Sequence, residues 1–383
     1  MVRVGPFRSS DLEMKKILKR LPFRQNDYSV AVIYILTDPG KEKDAISMCL
    51  AYLNREGVVK NYEAIPSSIK NQSRRKIKEF LKTHKPEIVA INAGGGRQSR
   101  TMLDTINRFL LKEITDDLNQ EIRENREERK QAQLENNLRY ESDDDDYQET
   151  EFQPAVLLVT DDIARIFKYS RRCKKMFPDL PSEVASSICL GRYVQEPLAE
   201  YCAMWGSADP MGNFGYELLF LDIHPMKLEV GGLKSTLLRT LEQVLVDVVC
   251  DTGVNWNEII AHDHIAPMLA FVSGLGLRKA DSLRQIIRRD PRAVTMRKEF
   301  LEKKILGKVV FNNAVGFIML TSNEVDEGDI LDRTRIHPEC YGLPHDFARK
   351  ICSEVHSLFK LYKMVYFDSM TSYSRPSRSR TIR

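Results

Sequence analysis

Nowhere does this chain offer the roughly eighteen or more consecutive apolar residues that a membrane-spanning helix requires. Nor do its seven scattered cysteines contain a CxxC pair. The first absence predicts no transmembrane helix. The second leaves neither the ligand spacing of a structural zinc site nor an even disulfide frame, so the cysteines read as reduced thiols packed as small apolar groups. Missing too is the apolar core of a secretory signal, because charges interrupt the N-terminal stretch MVRVGPFRSSDLEMKKILKRLPF. An intracellular protein is expected. The glycine run in GGGRQS has neither the spacing nor the lysine of a phosphate-binding P-loop, and it lacks the GxGxxG fingerprint of dinucleotide sites. Gly94, Gly95 and Gly96 therefore read as a plain turn, and no cofactor or metal is expected.

What the chain does contain is enough material for two or three domains. Its 383 residues are 42% hydrophobic and 29% charged, a globular balance. The formal charge of +4 conceals a division: Glu113 to Glu151 holds 15 acidic and 5 basic residues, which leaves +14 for the remainder. Such an excess favours contact with polyanions, although solvated lysines and arginines give the same count. The acidic stretch, ending in Glu141-Ser142-Asp143-Asp144-Asp145-Asp146, carries too much like charge to bury. Residues 113–152 are expected to form a disordered or partly helical insertion within a domain, acting as a solvated linker in preference to a histone-binding polyanion mimic.

Three strand patterns, YSVAVIYIL, AISMCLAYLN and GVVKNYEAI, read as a meander. Helical spacing in IKNQSRRKIKEFLKTHK, the short apolar run EIVAIN, a second helix in SRTMLDTINRFLLKEI and the strand PAVLLV follow. Strands that first meander and then alternate with helices imply a mixed sheet covered by helices. After the strand-like ELLFLDIHP the chain turns helical, beginning with VGGLKSTLLRTLEQVLVDVVCDTGV, which places a boundary near His224. The reading is thus a basic helical segment over 1–26, an α/β domain over 27–225, an all-α region over 226–355 and a basic, partly disordered tail over 356–383.

Within the helical region, FVSGLGLRKADSLRQII sets Gly274 and Gly276 around a leucine, with a helix starting near Ala280. Glycine there admits positive φ and close approach of another chain. Amides freed at such a turn, with Arg278 and Lys279 beside them, suit phosphate rather than base edges. Some thirty residues on, KKILGKVVFNNAVGFIML repeats the theme with Gly307 and Lys308 at the bend. Two helix-hairpin-helix motifs in tandem make Gly274, Gly276, Arg278, Lys279, Gly307 and Lys308 the candidate nucleic-acid contacts. The alternative is that the hairpins only pack protein against protein.

The order of the meander, LGRYVQEPLAEY, the two hairpins and LDRTRIHPECY resembles the core of the bacterial Tex proteins and the eukaryotic suppressor-of-Ty-six family of transcription elongation factors and histone chaperones. Resemblance runs from about Asp27 to Ile351, and the acidic insertion favours the eukaryotic branch. It implies a YqgF-like, ribonuclease-H-like α/β domain followed by tandem helix-hairpin-helix motifs. It also implies nuclear localisation and, as partners, DNA or RNA backbone, histones and the RNA polymerase II elongation machinery. The family's S1 barrel and tandem SH2 domains are not recognisable here. After Glu354 the pattern departs, as in a fragment, a short paralogue or a mis-spliced product.

Nucleases on the implied fold hold two Mg²⁺ ions between converging carboxylates, one of them from the middle of the first strand. VAVIYIL contains none. Asp161 and Asp162 follow a strand, where helix N-capping is the preferred role, and Glu196 and Glu200 stand four apart. A scaffold without catalysis is expected; a metal-dependent nuclease on structured nucleic acid is the alternative. His262-Asp263-His264 reads as a helix-entry segment rather than a metal site.

Overall fold

The computed structural model describes residues 28–36, 46–66, 73–120, 154–205, 217–221, 233–290, 294–320 and 329–352. The N-terminal segment 1–26, most of the acidic insertion, the boundary near His224 and the tail 356–383 lie outside the described residues.

Five strands form the mixed sheet that the sequence pattern implies: β1 (Val30–Ile35), β2 (Ile46–Leu53), β3 (Val59–Pro66), β4 (Ile88–Asn92) and β5 (Ala155–Val159), in the order β3-β2-β1-β4-β5. β1 pairs antiparallel with β2 and β2 with β3, whereas β1–β4 and β4–β5 are parallel. A central strand covered on both faces needs a continuous apolar run, and all six β1 residues are buried. Its alternation divides the core in two. Ala31, Ile33 and Ile35 face a cluster built from Ile77, Phe80 and Leu81 of α1 (Ser73–His84) together with Ile106, Leu110, Ile114 and Leu118. Val30, Val32 and Tyr34 face the larger cluster, which takes in α3 (Asp162–Lys168) and α5 (Ser182–Gln195) and extends to Leu320.

The second of these faces reads straight from LGRYVQEPLAEY. A Cβ at Gly191 would lie 2.5 Å from Leu53 Cδ1 and 3.0 Å from Val32 Cγ2, so only glycine lets α5 cross the sheet so closely. Gln195 then donates to the carbonyls of Tyr28 (2.6 Å) and Asn54 (2.7 Å), fixing the α5 end to the entrance of β1. The Tyr193 and Tyr201 hydroxyls meet at 3.2 Å between α5 and α6 (Pro197–Trp205).

One sequence expectation is narrowed and one corrected. Residues 113–120, assigned to the disordered or partly helical acidic insertion, are helical, with Ile114 fully buried and Leu118 nearly so. They extend α2 (Arg97–Thr105) through a π-turn over Ile106–Leu110. A stripe at 106, 110, 114 and 118 repeats every four residues and would drift off one side of a 3.6-residue helix; the wider π-turn offsets that drift. ELLFLDIHP, read as strand-like, contains a 3₁₀ turn at Glu217–Phe220.

No break separates sheet from helical region in the core. Trp205, at the end of α6, meets Phe271 edge-on, ring centroids 6.2 Å apart, and Phe271 closes the 3₁₀ segment Ala266–Phe271. Around it lie α4 (Arg171–Met176), α7 (Leu233–Thr252), α8 (Trp256–Ala261), α9 (Gly276–Arg289), α10 (Glu299–Glu302), α11 (Lys308–Ala314) and a last helix, α12, over residues 342–352. A short parallel pair, β6 (Val254–Asn255) and β7 (Ile318–Met319), ties the start of α8 to the end of the second hairpin. Among the described residues no helix is long and apolar enough to cross a membrane.

Candidate nucleic-acid interface

Both hairpin turns carry a Leu-Gly step with a basic residue close behind, although Gly276 has φ +70° and Gly307 an extended backbone at φ −71°. A buried leucine, Leu275 or Leu306, anchors the turn, and an exposed glycine, Gly276 or Gly307, follows it. A basic residue then stands on the next helix: Arg278 on α9, Lys308 at the start of α11. A Cβ at Gly276 or at Gly307 would meet nothing within 4 Å, so the chain there is open to an approaching ligand. Arg278 and Lys308 are exposed, and among the described residues neither has an ion-pair partner. The α9 helix begins at Gly276, four residues earlier than expected from the sequence.

The candidates do not all play one role. Gly274 has φ +84°, and a Cβ on it would sit 2.8 Å from Asn313 Cβ of α11. Its close approach is therefore to the second hairpin, which makes Gly274 a joint between the motifs. Lys279 donates from Nζ to the Gly274 carbonyl at 2.8 Å, closing the turn with its ammonium group. Gly276 and Gly307, with Arg278 and Lys308, form the outward face.

This division is testable by stability. Gly274→Ala is expected to destabilise the protein by about 2–4 kcal/mol, since the strain of positive φ adds to the clash with α11. Gly276→Ala, at φ +70° but in open space, should cost only about 1–2 kcal/mol. Urea unfolding of the two variants checks the order; equal losses would remove the distinction.

The entry of α10, the helix that precedes the second turn, is held by a carboxylate. Glu299 Oε2 accepts the N–H groups of Thr295 (2.5 Å) and Met296 (3.2 Å). Burial opposes its ionisation, but those bonds and the Lys303 ammonium hold its carboxyl down at about 2.

A residue that sequence reasoning missed positions the whole region. Arg297 is completely buried, and its guanidinium donates to the carbonyls of Ile318 (2.9 Å), Ile336 (2.7 Å) and Thr334, and to the Tyr341 hydroxyl (2.7 Å). Tyr341 in turn donates to Asp332 at 2.6 Å, and the other Asp332 oxygen accepts the Arg297 amide at 3.0 Å. The stretch LDRTRIHPECY is thereby wrapped around one buried cation. Its only advance signal was a motif whose Asp332 and Tyr341 had no partner in the sequence reading.

The acids considered for catalysis are used separately. Asp161 occupies the N-cap position of α3 but makes no capping bond through its side chain, which corrects the role expected for it. Instead it is buried, 3.3 Å from Asn92 Nδ2 and 3.8 Å from Arg165 Nε. Asn92 also bonds both backbone groups of Ile35 (2.7 and 3.0 Å), so this cluster locks the ends of β1 and β4 together. Asp162, at the first position of α3, pairs with Arg165. Glu196 ends α5 whereas Glu200 lies inside α6, so the two do not share one helical face. Glu200 is buried against Arg172 at 2.9 Å. Gly94 and Gly95 form a 3₁₀ turn with Ala93, where a Cβ at Gly94 would collide with Asp161. His262 ends α8, and Asp263 holds Arg284 (2.9 Å) and Arg288 (3.1 Å) of α9.

A family model described as a helix-hairpin-helix motif matches residues 216–321, which contain both turns. Over 203 residues the chain is 34% identical to transcription elongation factor spt6 of Schizosaccharomyces pombe, a match covering 53% of this chain and 14% of that protein. It is 34% identical over 210 residues to the Neurospora crassa transcription elongation factor spt-6, with 53% and 14% covered. To the Arabidopsis thaliana transcription elongation factor SPT6 homolog it is 32% identical over 207 residues, with 52% and 12% covered. The chain thus matches about one-seventh of the length of these curated relatives.

Proposed function

We propose, from the premise that about half of this chain is homologous to part of the Spt6 transcription elongation factors, that it is a non-catalytic transcription-elongation core that grips nucleic-acid backbone through its paired hairpin turns. One observation carries the reading: two Leu-Gly steps each pair an open glycine with an exposed cation one or two residues on that has no ion-pair partner among the described residues. Phosphate contacts of this kind fix a strand without reading its sequence. The sheet order, three antiparallel strands continued by two parallel ones, supports a ribonuclease-H-like scaffold over 27–225, with the tandem hairpins over 226–355. RNA polymerase II elongation factors and histones are the proposed protein partners, and the nucleus the proposed compartment.

Catalysis has no place in this reading, because Asp161 and Glu200 are each tied to a different arginine and β1 offers no carboxylate. The test pairs two assays on the same preparation. Duplex and single-stranded oligonucleotides should both bind, each with little change between unrelated sequences and with a steep salt dependence. Incubation with Mg²⁺ or Mn²⁺ should leave branched and single-stranded substrates intact. Turnover abolished by Asp161→Asn would overturn the proposal, as would strong preference for one sequence.

A further inference from the structure

Where the sheet region meets the hairpins, a cavity of about 580 Å³ opens between α4 and α5 on one side and α9 on the other. Its floor is apolar, formed by Phe177, Ala203, Pro267, Ala270 and Leu277. Its walls are not. Arg171, Arg172, Lys175, Arg192, Arg284 and Arg288 face Glu200, Asp263 and Asp281, an excess of three positive charges.

Several of these cations are incompletely met. Glu200 takes only one nitrogen of Arg172, whose Nε and Nη2 are buried without a partner, and Nε of Arg284 is orphaned in the same way. Arg192 makes one long bond to the Gly57 carbonyl (3.4 Å) and lies 5.5 Å from the Phe177 ring centroid. Burial pulls the Arg192 guanidinium below its ordinary value, with Glu200 only partly offsetting it. Buried polar groups are ordinarily satisfied, and a guanidinium has no neutral form to retreat to. His264, also on the wall, does not add to the charge: burial, Arg192 and His262 together bring it down to about 3. An anion with several acceptor oxygens matches these nitrogens.

We propose that this cleft receives a phosphate of single-stranded nucleic acid, with the attached nucleotide lying against the apolar floor. The inference rests on the hairpin reading above and extends it. α9 argues for nucleic acid over an acidic peptide, because one helix carries Arg278 at the open turn and Arg284 and Arg288 on the cleft wall. Between Arg278 and Arg288 it rises about 15 Å, a distance that a few nucleotides of extended strand cover. A positively charged groove with an aromatic face is the arrangement that holds single strands without regard to sequence, and Phe177 supplies such a face here. The cavity volume also lies in the range of small-ligand sites.

The probe is the thymidine dinucleotide pTpT, titrated calorimetrically beside TpT, which lacks the terminal phosphate. Stronger binding of pTpT assigns the cleft to a strand end, equal binding to a backbone phosphodiester; either supports the proposal. Arg171 and Lys175 are exposed on α4, so Arg171→Glu with Lys175→Glu should leave the melting temperature unchanged while weakening pTpT by about tenfold or more. Arg172→Gln, which strands Glu200, is the second variant and should weaken pTpT even if stability falls. Arg278→Glu with Lys308→Glu should alter pTpT affinity by less than about twofold, which separates failure here from failure of the hairpin reading. Absence of binding at millimolar pTpT, undiminished binding by the Arg171→Glu, Lys175→Glu variant, or equal competition by a tri-glutamate peptide would each overturn the proposal.

Discussion

Replacing Arg297 by methionine is expected to destabilise the protein by about 3–5 kcal/mol and to lower its melting temperature by roughly 8–15 °C. A buried arginine exchanged for an apolar residue of similar length is often harmless when its partner is removed as well. Here the partners are backbone carbonyls of Ile318, Thr334 and Ile336, which no substitution can remove. Each left unmet in the interior costs about 1–3 kcal/mol. Leu331, at 3.4 Å from Nη1, matters less, because Thr334 already supplies its carbonyl with an amide (2.9 Å) and a hydroxyl (2.7 Å). Asp332 would keep Tyr341 and the backbone amide at position 297 but lose the nearby positive charge. Arg297→Lys keeps that charge without the planar fork, so it should fall between wild type and methionine. Proteolysis within 329–341 should quicken in the same order. A loss below about 1 kcal/mol would mean that the buried arginine does not organise this segment.

Reversing two charges on the outward face should weaken nucleic-acid binding by roughly 30- to 100-fold at low salt. Arg278→Glu and Lys308→Glu each remove a phosphate contact and introduce repulsion at an exposed position where folding is little affected. The logarithmic salt slope should become shallower by about two units, close to one per lost contact. Lys279→Glu should behave differently. Its ammonium closes the turn through the Gly274 carbonyl, so part of its effect should appear as lost stability. Unchanged affinity in the double variant would leave the hairpins a purely architectural role.

Much of the scaffold was legible because its signals are local. VAVIYI alternates between two apolar faces, and both faces were used. The element order of the sheet follows from the spacing of apolar runs and turns. The packed continuation of the helix beyond Ile114 to Leu118 was hidden because acidic composition outweighed Leu118, and because a period of four fits neither an ideal helix nor a strand. Arg297 was illegible for a different reason: its partners lie some 21 to 44 positions away. In MRKEF it looks like any solvated arginine. At the hairpins, residue types were enough to find both turns. Only packing could separate Gly274, pressed against Asn313, from Gly276, open to solvent.

The central claim is that the open turns touch phosphate, and amide resonances report this most directly. Adding a short duplex of arbitrary sequence to isotope-labelled protein should shift the backbone amides of residues 275–279 and 306–309 together. A second duplex of unrelated sequence should move the same signals in the same directions, and raised salt should reverse them. Shifts confined to other surfaces, with both turns silent at saturation, would contradict the account.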